Sequence, residues 1–291
     1  MTVGAIIPVR AFAPYLAEAL DAVLAEQPAA VVVVDDGSRT PLVLHPDHLD
    51  AGVVLVRREV AGGPALARAA GEQALGPQVD LIALCDADDA WAPGLLSAHV
   101  EALSRSTDAG WSFGRALVVG ADGRATGEVW DRPPAGRHAA AAFAQQLYAA
   151  NPIPTSSVVL RRAALKAAGA CPGPVRVAED WELWLRLARS GATALCVPEA
   201  SVRVRRHPEG LTADVVRLAR ARLALHAAHA ELVAPEEHAA AEARDLTMLA
   251  DGLDSAGDRR GAAAAWTQVA RRRRLTPRER LRRTPLRLPG R

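Results

Sequence analysis

Asp80-Leu81-Ile82-Ala83-Leu84-Cys85-Asp86-Ala87-Asp88-Asp89 is the stretch from which the fold of this chain is read. Its apolar half shows no polar alternation, which suits a strand covered on both faces of a sheet. Three carboxylates then arrive within four residues, where that strand ends, and Ala90-Trp91-Ala92-Pro93 leads out. Like charges this close raise one another's pKa unless a cation sits among them. A hard divalent ion resolves the conflict, because Mg²⁺ takes carboxylate oxygens together with substrate phosphates. The plainer alternative is a solvated acidic turn in which an aspartate caps the next helix.

Upstream, Val3-Gly4-Ala5-Ile6-Ile7-Pro8-Val9 reads as a first strand and residues 14–25 as a helix with Leu16, Leu20, Val23 and Leu24 on one face. Ala30-Val31-Val32-Val33-Val34 is the strongest strand signal, and its end again carries acid, Asp35-Asp36-Gly37-Ser38. A third strand over 53–56 precedes Ala61-Gly62-Gly63-Pro64, whose proline suits the first position of a helix over 65–74. A further helix begins at Pro93. Strands alternating with helices predict a parallel, doubly wound sheet. Ligands of such sheets bind beyond the carboxyl ends of the strands. Pro8-Val9, Asp35-Asp36 and Asp86-Asp88 all fall on that rim, which is hard to explain as surface decoration.

Downstream, residues 111–119 and 125–130 read as strands joined by Gly120-Ala121-Asp122-Gly123, and 139–149 as a helix. Asn151-Pro152-Ile153-Pro154-Thr155-Ser156-Ser157 reads as a loop into a strand over 158–160, followed by a short helix ended by Gly169. A helix over 181–190 follows Glu179-Asp180; acids at that place stabilise the helix dipole and cap it, or serve chemistry. A strand over 194–197 leads to Arg203-Val204-Arg205-Arg206-His207-Pro208. From Leu211 the chain turns Ala-, Leu- and Arg-rich with helical period over 212–232, 235–253, 256–273 and 277–283, a helical extension expected to pack on the main domain.

The 291 residues are half hydrophobic, enough for one large domain plus an extension. A net charge of +2 argues against a nucleic-acid-binding protein. Lys166 is the sole lysine, so the basic residues are almost all arginine. They gather at residues 271–274 and 278–287, either a solvated end or a patch drawn to the inner face of an anionic membrane. Cys85, Cys171 and Cys196 lack metal spacing and read as reduced core cysteines of a cytoplasmic protein. No apolar run approaches the roughly 20 residues of a membrane span. The apolar run at residues 3–9 is short and lacks the basic lead of a secretory signal.

Taken in order, Ile6-Ile7-Pro8-Val9-Arg10, Val32-Val33-Val34-Asp35-Asp36-Gly37-Ser38, Gly62-Gly63-Pro64-Ala65 with Arg68 and Gly71, Asp86-Ala87-Asp88-Asp89-Ala90-Trp91, Glu179-Asp180-Trp181-Glu182-Leu183-Trp184 and Arg205-Arg206-His207-Pro208 resemble the motif series of a family 2 glycosyltransferase with the GT-A fold. The resemblance covers residues 3–213 and leaves 214–291 as a helical extension with a basic C-terminus. It implies a Rossmann-like, doubly wound mixed sheet. It also implies inverting transfer of a sugar from a nucleotide-sugar, usually a UDP-sugar, with Mg²⁺ or Mn²⁺, to a glycan, lipid-linked or small-molecule acceptor.

By that resemblance Pro8, Val9, Asp36, Arg68 and Asp86 are expected at the nucleotide, with Asp36 reading the base. Asp88 and His207 are expected at the metal, and Asp180 as general base. Asp89, Glu179, Trp181 and Arg206 are expected around these or at the acceptor, with Glu179 supplying part of the helix cap and Arg205 or Arg206 touching phosphate. Ala61, Ala70 and Arg10 depart from the residues frequent in the family, which bears on nucleotide contacts and donor choice. Two rivals share part of this logic: a nucleotidyltransferase, which would carry a Gly-rich loop after its first strand where this chain has Arg10-Ala11-Phe12-Ala13-Pro14, and a binding domain without turnover.

Overall fold

The structure is a computed structural model that describes residues 1–10, 13–130, 133–169, 177–207 and 214–283. The chain divides into two compact units, Met1–Pro208 and Glu209–Arg291.

In the first unit the described elements run β1 (Val3–Val9), α1 (Leu16–Ala25), β2 (Ala30–Asp36), α2 (Pro46–Asp50), β3 (Val54–Arg58), α3 (Pro64–Ala74), β4 (Leu81–Leu84), β5 (Ala90–Trp91) and α4 (Leu95–Arg105). They continue with β6 (Ala109–Val119), β7 (Ala125–Val129), β8 (Gly136–His138), α5 (Ala140–Ala149), a 3-10 turn (Thr155–Ser157), β9 (Val158–Arg161), α6 (Arg162–Ala167), α7 (Glu179–Arg189) and β10 (Thr193–Arg205). One sheet contains the strands in the order β3-β2-β1-β4-β9-β6-β10-β5, with β7 on β6 and β8 on β10.

The first half is parallel throughout, as the βαβ alternation requires. The second half departs from the parallel sheet that alternation alone predicts and agrees with the mixed sheet that the resemblance implies: β9 enters antiparallel between β4 and β6. β10 also runs well past the expected 194–197. Its register against β6 jumps between Cys196 and Ser201, the segment holding Pro198, which cannot donate to a ladder. Beyond the jump it continues beside β6 to Arg205, carrying the basic residues to the rim.

Packing fixes the rim's geometry. Valines 31 to 34 of β2 and all four residues of β4 are buried, as expected of strands covered on both faces. α3 begins at Pro64 and lies so close to β1 that a Cβ on Gly71 would sit 2.5 Å from Ile6 Cγ2. One face of the sheet is filled by Leu16, Leu20, Leu95 and Leu103 of α1 and α4. On the other, Trp111 of β6 stacks on Trp184 of α7 at 5.2 Å and Phe113 on Phe143 of α5 at 5.8 Å. All four rings are buried, and truncating any one to alanine costs about 3–5 kcal/mol. Cys85 and Cys196 are buried free thiols, while Cys171 lies outside the described residues.

The second unit holds α8 (Val215–Ala228), α9 (Pro235–Ser255), α10 (Arg259–Arg272) and α11 (Pro277–Arg283). α9 and α10 form a hairpin around Trp266, Leu246, Ala250 and Val269. The start of the helix read from residue 212, and all residues after 283, lie outside the described residues. Part of the basic C-terminus is spent inside the unit. Arg272 pairs with Glu242 and Arg273 with Glu279, while Arg271, Arg274, Arg278 and Arg280 are exposed. No helix among the described residues is long and apolar enough to cross a membrane.

Candidate active site

The carboxyl ends of β1, β2 and β4 lie side by side on one rim, and the 3-10 turn joins it beyond β4. At β1, Pro8 and Val9 pair with Val34 and Asp35 of β2, and Arg10 emerges exposed. Asp35 is buried; burial works to raise its pKa, but hydrogen bonds from Ser38 and Leu42 and the Arg57 guanidinium hold it below the usual range. Asp36 is buried too. It pairs with Arg58 and accepts the amide of Gly62 at 3.0 Å and that of Gly63 at 2.7 Å. Both carboxylate oxygens are thereby engaged, the Gly62 amide being shared between them. Gly37 makes the approach feasible: its backbone is left-handed at φ 67°, and a Cβ there would lie 2.5 Å from the Ala61 nitrogen.

The acidic turn after β4 is fastened by one serine. Ser156 Oγ accepts the Asp86 amide at 2.9 Å and donates to Asp89 Oδ2 at 2.6 Å. The other Asp89 oxygen accepts the Arg205 amide at 2.9 Å. Burial, with Asp86 and Asp88 adding repulsion, raises the Asp89 pKa well above the carboxylate range. Asp89 therefore shapes the turn and ties it to β10. Asp88 is half-exposed and its Oδ2 lies 2.8 Å from His207 Nε2. Burial and the nearby Asp86 raise the Asp88 pKa, while His207 opposes them. Tyr15 packs on the His207 ring at 5.6 Å, and the Arg205 guanidinium lies 4.2 Å over the Tyr15 ring. Arg205 reaches Glu18 and the Asp88 carbonyl, so it braces the turn from below. Arg206 is outward, beside Glu128 at 3.3 Å and over Trp130 at 5.1 Å. Pro208 and the rest of that motif fall outside the described residues.

Arg68 of α3 joins two motifs. Its side chain is buried, donating to Asp86 Oδ1 at 2.6 Å and to Glu179 Oε1 at 2.8 Å. Burial alone would lower the arginine's pKa; Asp86 and Glu179 overcome it and raise the pKa. Glu179 lies in the first turn of α7 with its carboxylate turned to Arg68. The residue before α7, Ala178, takes the left-handed conformation at φ 61° with no side-chain cap. That costs an alanine about 1–2 kcal/mol and aims Glu179 and Asp180 into the rim.

Asp180 lies in the first turn of α7. Its Oδ2 accepts from Thr155 Oγ1 at 2.9 Å and Asn151 Nδ2 at 3.1 Å, and its Oδ1 from the Trp181 amide at 2.7 Å. Trp181 is buried and donates its indole N–H to the Leu147 carbonyl, so it packs beneath the site. Asn151, Thr155 and Ser156 all belong to the stretch whose sequence reads as a loop. Polar residues among prolines signal a turn, and nothing in their spacing tells which of them face inward.

The donor chemistry at the turn suits a hard divalent ion. The half-exposed Asp88 carboxylate and the His207 imidazole converge, with Asp86 two residues away on the same turn. Among the described residues no three His, Cys, Asp or Glu side chains form a cage sufficient alone. Mg²⁺ and Mn²⁺ sites of that kind complete themselves with substrate phosphates.

Residues 5–166 match the profile of the family described as Glycosyl transferase family 2. No curated protein sequence matches the chain. Among solved structures, that of S. aureus TarS is similar with a TM-score of 0.62 at 15% identity; the likeness covers 96% of this chain, which spans half the length of that one. S. aureus TarS 1-349 in complex with UDP-GlcNAc gives 0.61 at 14%, covering 92% of this chain and 82% of the other. The mannosyltransferase PcManGT from Pyrobaculum calidifontis, in complex with GDP-Man and Mn²⁺, gives 0.56 at 20%, covering 97% and 82%. At these identities the likeness is one of fold, and that fold is GT-A.

Proposed function

Because the chain belongs to glycosyl transferase family 2, we propose that it moves a sugar from a nucleotide-sugar to an acceptor hydroxyl, with inversion and with Asp180 as general base. One observation carries this reading. Thr155 and Ser156, adjacent in one turn, hold Asp180 and the Asp86–Asp89 turn respectively. A base and an acidic leaving-group motif are thereby fixed to the same three-residue element, as in-line displacement needs.

In the proposed step, Asp180 takes the proton from the acceptor hydroxyl as its oxygen forms a bond to the anomeric carbon. The bond from that carbon to the diphosphate oxygen breaks on the opposite face, and its electron pair leaves with the nucleotide. The transition state has oxocarbenium character. Two donors on Oδ2 and one on Oδ1 hold Asp180 in a single orientation before substrate arrives. Asp88 and His207 would hold Mg²⁺ or Mn²⁺, which when bound neutralises charge on the departing diphosphate. Pro8 and Val9 line the nucleoside through their backbone. Asp36 serves the nucleotide through the Gly62–Gly63 loop it ties down, since its own oxygens are engaged.

UDP-sugars come first as donors because a neighbour in fold was solved with UDP-GlcNAc, and GDP-sugars second because another was solved with GDP-Man and Mn²⁺. A panel of UDP- and GDP-sugars, read for Mn²⁺-dependent release of nucleotide, tests the proposal. Release from one donor class, abolished by chelation, is expected; silence across the whole panel would overturn it.

A further inference from the structure

Arg115 is the one charged residue on the inner run of β6, between Gly114 and Ala116, and the proposed reaction does not use it. It is half-buried, its Nε is out of reach of solvent, and it makes no hydrogen bond or ion pair among the described residues. With its Nε shut off from solvent and unsatisfied among the described residues, this guanidinium has lost part of its hydration, which an oxyanion would make good.

Its place follows from the sheet register. Side chains alternate along a strand, so Arg115 shares a face with Trp111 and Phe113, the face covered by α5 and α7. Val158 of β9 pairs with Phe113, and the Gly114 amide donates to Ser157 Oγ at 3.1 Å. The 3-10 turn Thr155–Ser157 therefore runs on alongside Gly114–Ala116. Thr155 of that turn holds Asp180, which stands at the start of α7 on this same face. The diphosphate-handling residues, Asp88 and His207, sit instead at the ends of β4 and β10.

We propose that Arg115 binds a phosphate or carboxylate carried by the acceptor, so that the hydroxyl glycosylated belongs to an anionic compound. The inference rests on the reading of Asp180 as the base, and it names the acceptor class which that reading leaves open. Guanidinium forks match both oxyanions bidentately.

The test uses the full chain with its best donor and Mn²⁺, and matched acceptors: glycerol against glycerol 3-phosphate, and glucose against glucose 6-phosphate and glucuronate. For the wild type the charged member is expected to have a kcat/KM about 10–100-fold higher, the worth of one charge-assisted contact. Arg115→Met should bring that ratio near one, and Arg115→Lys should restore part of it. The phosphate and carboxylate members show which oxyanion is preferred. If no pair supports transfer, the same compounds are titrated by calorimetry onto protein saturated with Mn²⁺ and UDP or GDP, so that the donor's own anion site is filled. The charged member must then bind more tightly to the wild type and not to Arg115→Met. A ratio near one in the wild type, a ratio that Arg115→Met leaves unchanged, or an effect of Arg115→Met on donor KM alone would each overturn the inference. The wild type's Mn²⁺-dependent release of nucleotide is scored separately, so failure of the proposed function is distinguishable from failure here.

Discussion

Thr155 and Ser156 are neighbours in the chain and serve opposite halves of the site: the Thr155 hydroxyl donates to Asp180 at 2.9 Å, the Ser156 hydroxyl to Asp89 at 2.6 Å. Their removal should therefore have different signatures. Ser156→Ala leaves one oxygen of the buried Asp89 without its donor and frees the Asp86 amide, so it should cost about 1–3 kcal/mol of stability. Thr155→Val leaves Asp180 with Asn151 and a backbone amide, so its stability loss should stay within about 1 kcal/mol while kcat falls. Urea unfolding beside turnover measurements separates the two; equal stability losses would contradict the assignment.

Arg68 neutralises two carboxylates from distant parts of the chain. Arg68→Met removes the cation and leaves Asp86 and Glu179 facing a buried site. The expected loss is about 3–5 kcal/mol, the usual cost of breaking a buried ion pair from one side. Arg68→Lys reaches one carboxylate at most and should fall between. Denaturation midpoints for the three proteins check the order.

His99 of α4 is fully buried, with Nδ1 2.9 Å from Ser112 Oγ and Nε2 unpartnered among the described residues. Burial pushes its pKa down to about 3. The fold therefore holds it neutral, while the unfolded chain takes up a proton below its ordinary pKa near 6.5. Stability from this group is complete above pH 6.5 and is lost as pH falls toward 3. Between pH 7 and pH 5 the loss is about 2 kcal/mol. His99→Leu should remove that much of the difference in unfolding free energy between the two pH values, whatever it does to stability at pH 7.

The half-exposed Asp88 and the adjacent His207 are the proposed protein ligands of the divalent ion. Asp88→Asn and His207→Ala should each raise the Mn²⁺ concentration for half-maximal activity by about tenfold or more, the value of one charge-assisted contact. Asp89→Asn should behave differently. It faces Ser156 and Arg205 rather than the cleft, so its effect should appear in stability and not in Mn²⁺ dependence.

What the sequence made legible was whatever repeats. The valines of β2 and the unbroken apolar run of β4 declare buried strands, and the acids after them declare the rim. The antiparallel β9 looked like any short apolar run, because strand direction leaves no mark in composition. β5 and β8, two and three residues long, are too short to carry a period. Pro198 reads as a strand end, yet β10 absorbs it in a register shift and goes on. In the site, Asp86, Asp88 and Asp180 stood out as acids at strand and helix ends. Asn151, Thr155 and Ser156 did not, since turns use the same residue types for no purpose but turning. Asp36 shows the opposite limit: its position was legible, but its commitment to Arg58, Gly62 and Gly63 depends on a loop 26 residues away.

The proposed transfer depends on Asp180 as the group that takes the acceptor's proton. Turnover of the best nucleotide-sugar with Mn²⁺ is measured for the wild type and Asp180→Asn, alongside donor affinity by calorimetry. Asparagine keeps the shape and can still accept from Thr155, but it cannot take a proton at neutral pH. The role of Asp180 as general base requires kcat to fall about 10²–10⁴-fold with donor affinity nearly unchanged. Turnover within about threefold of the wild type would contradict it.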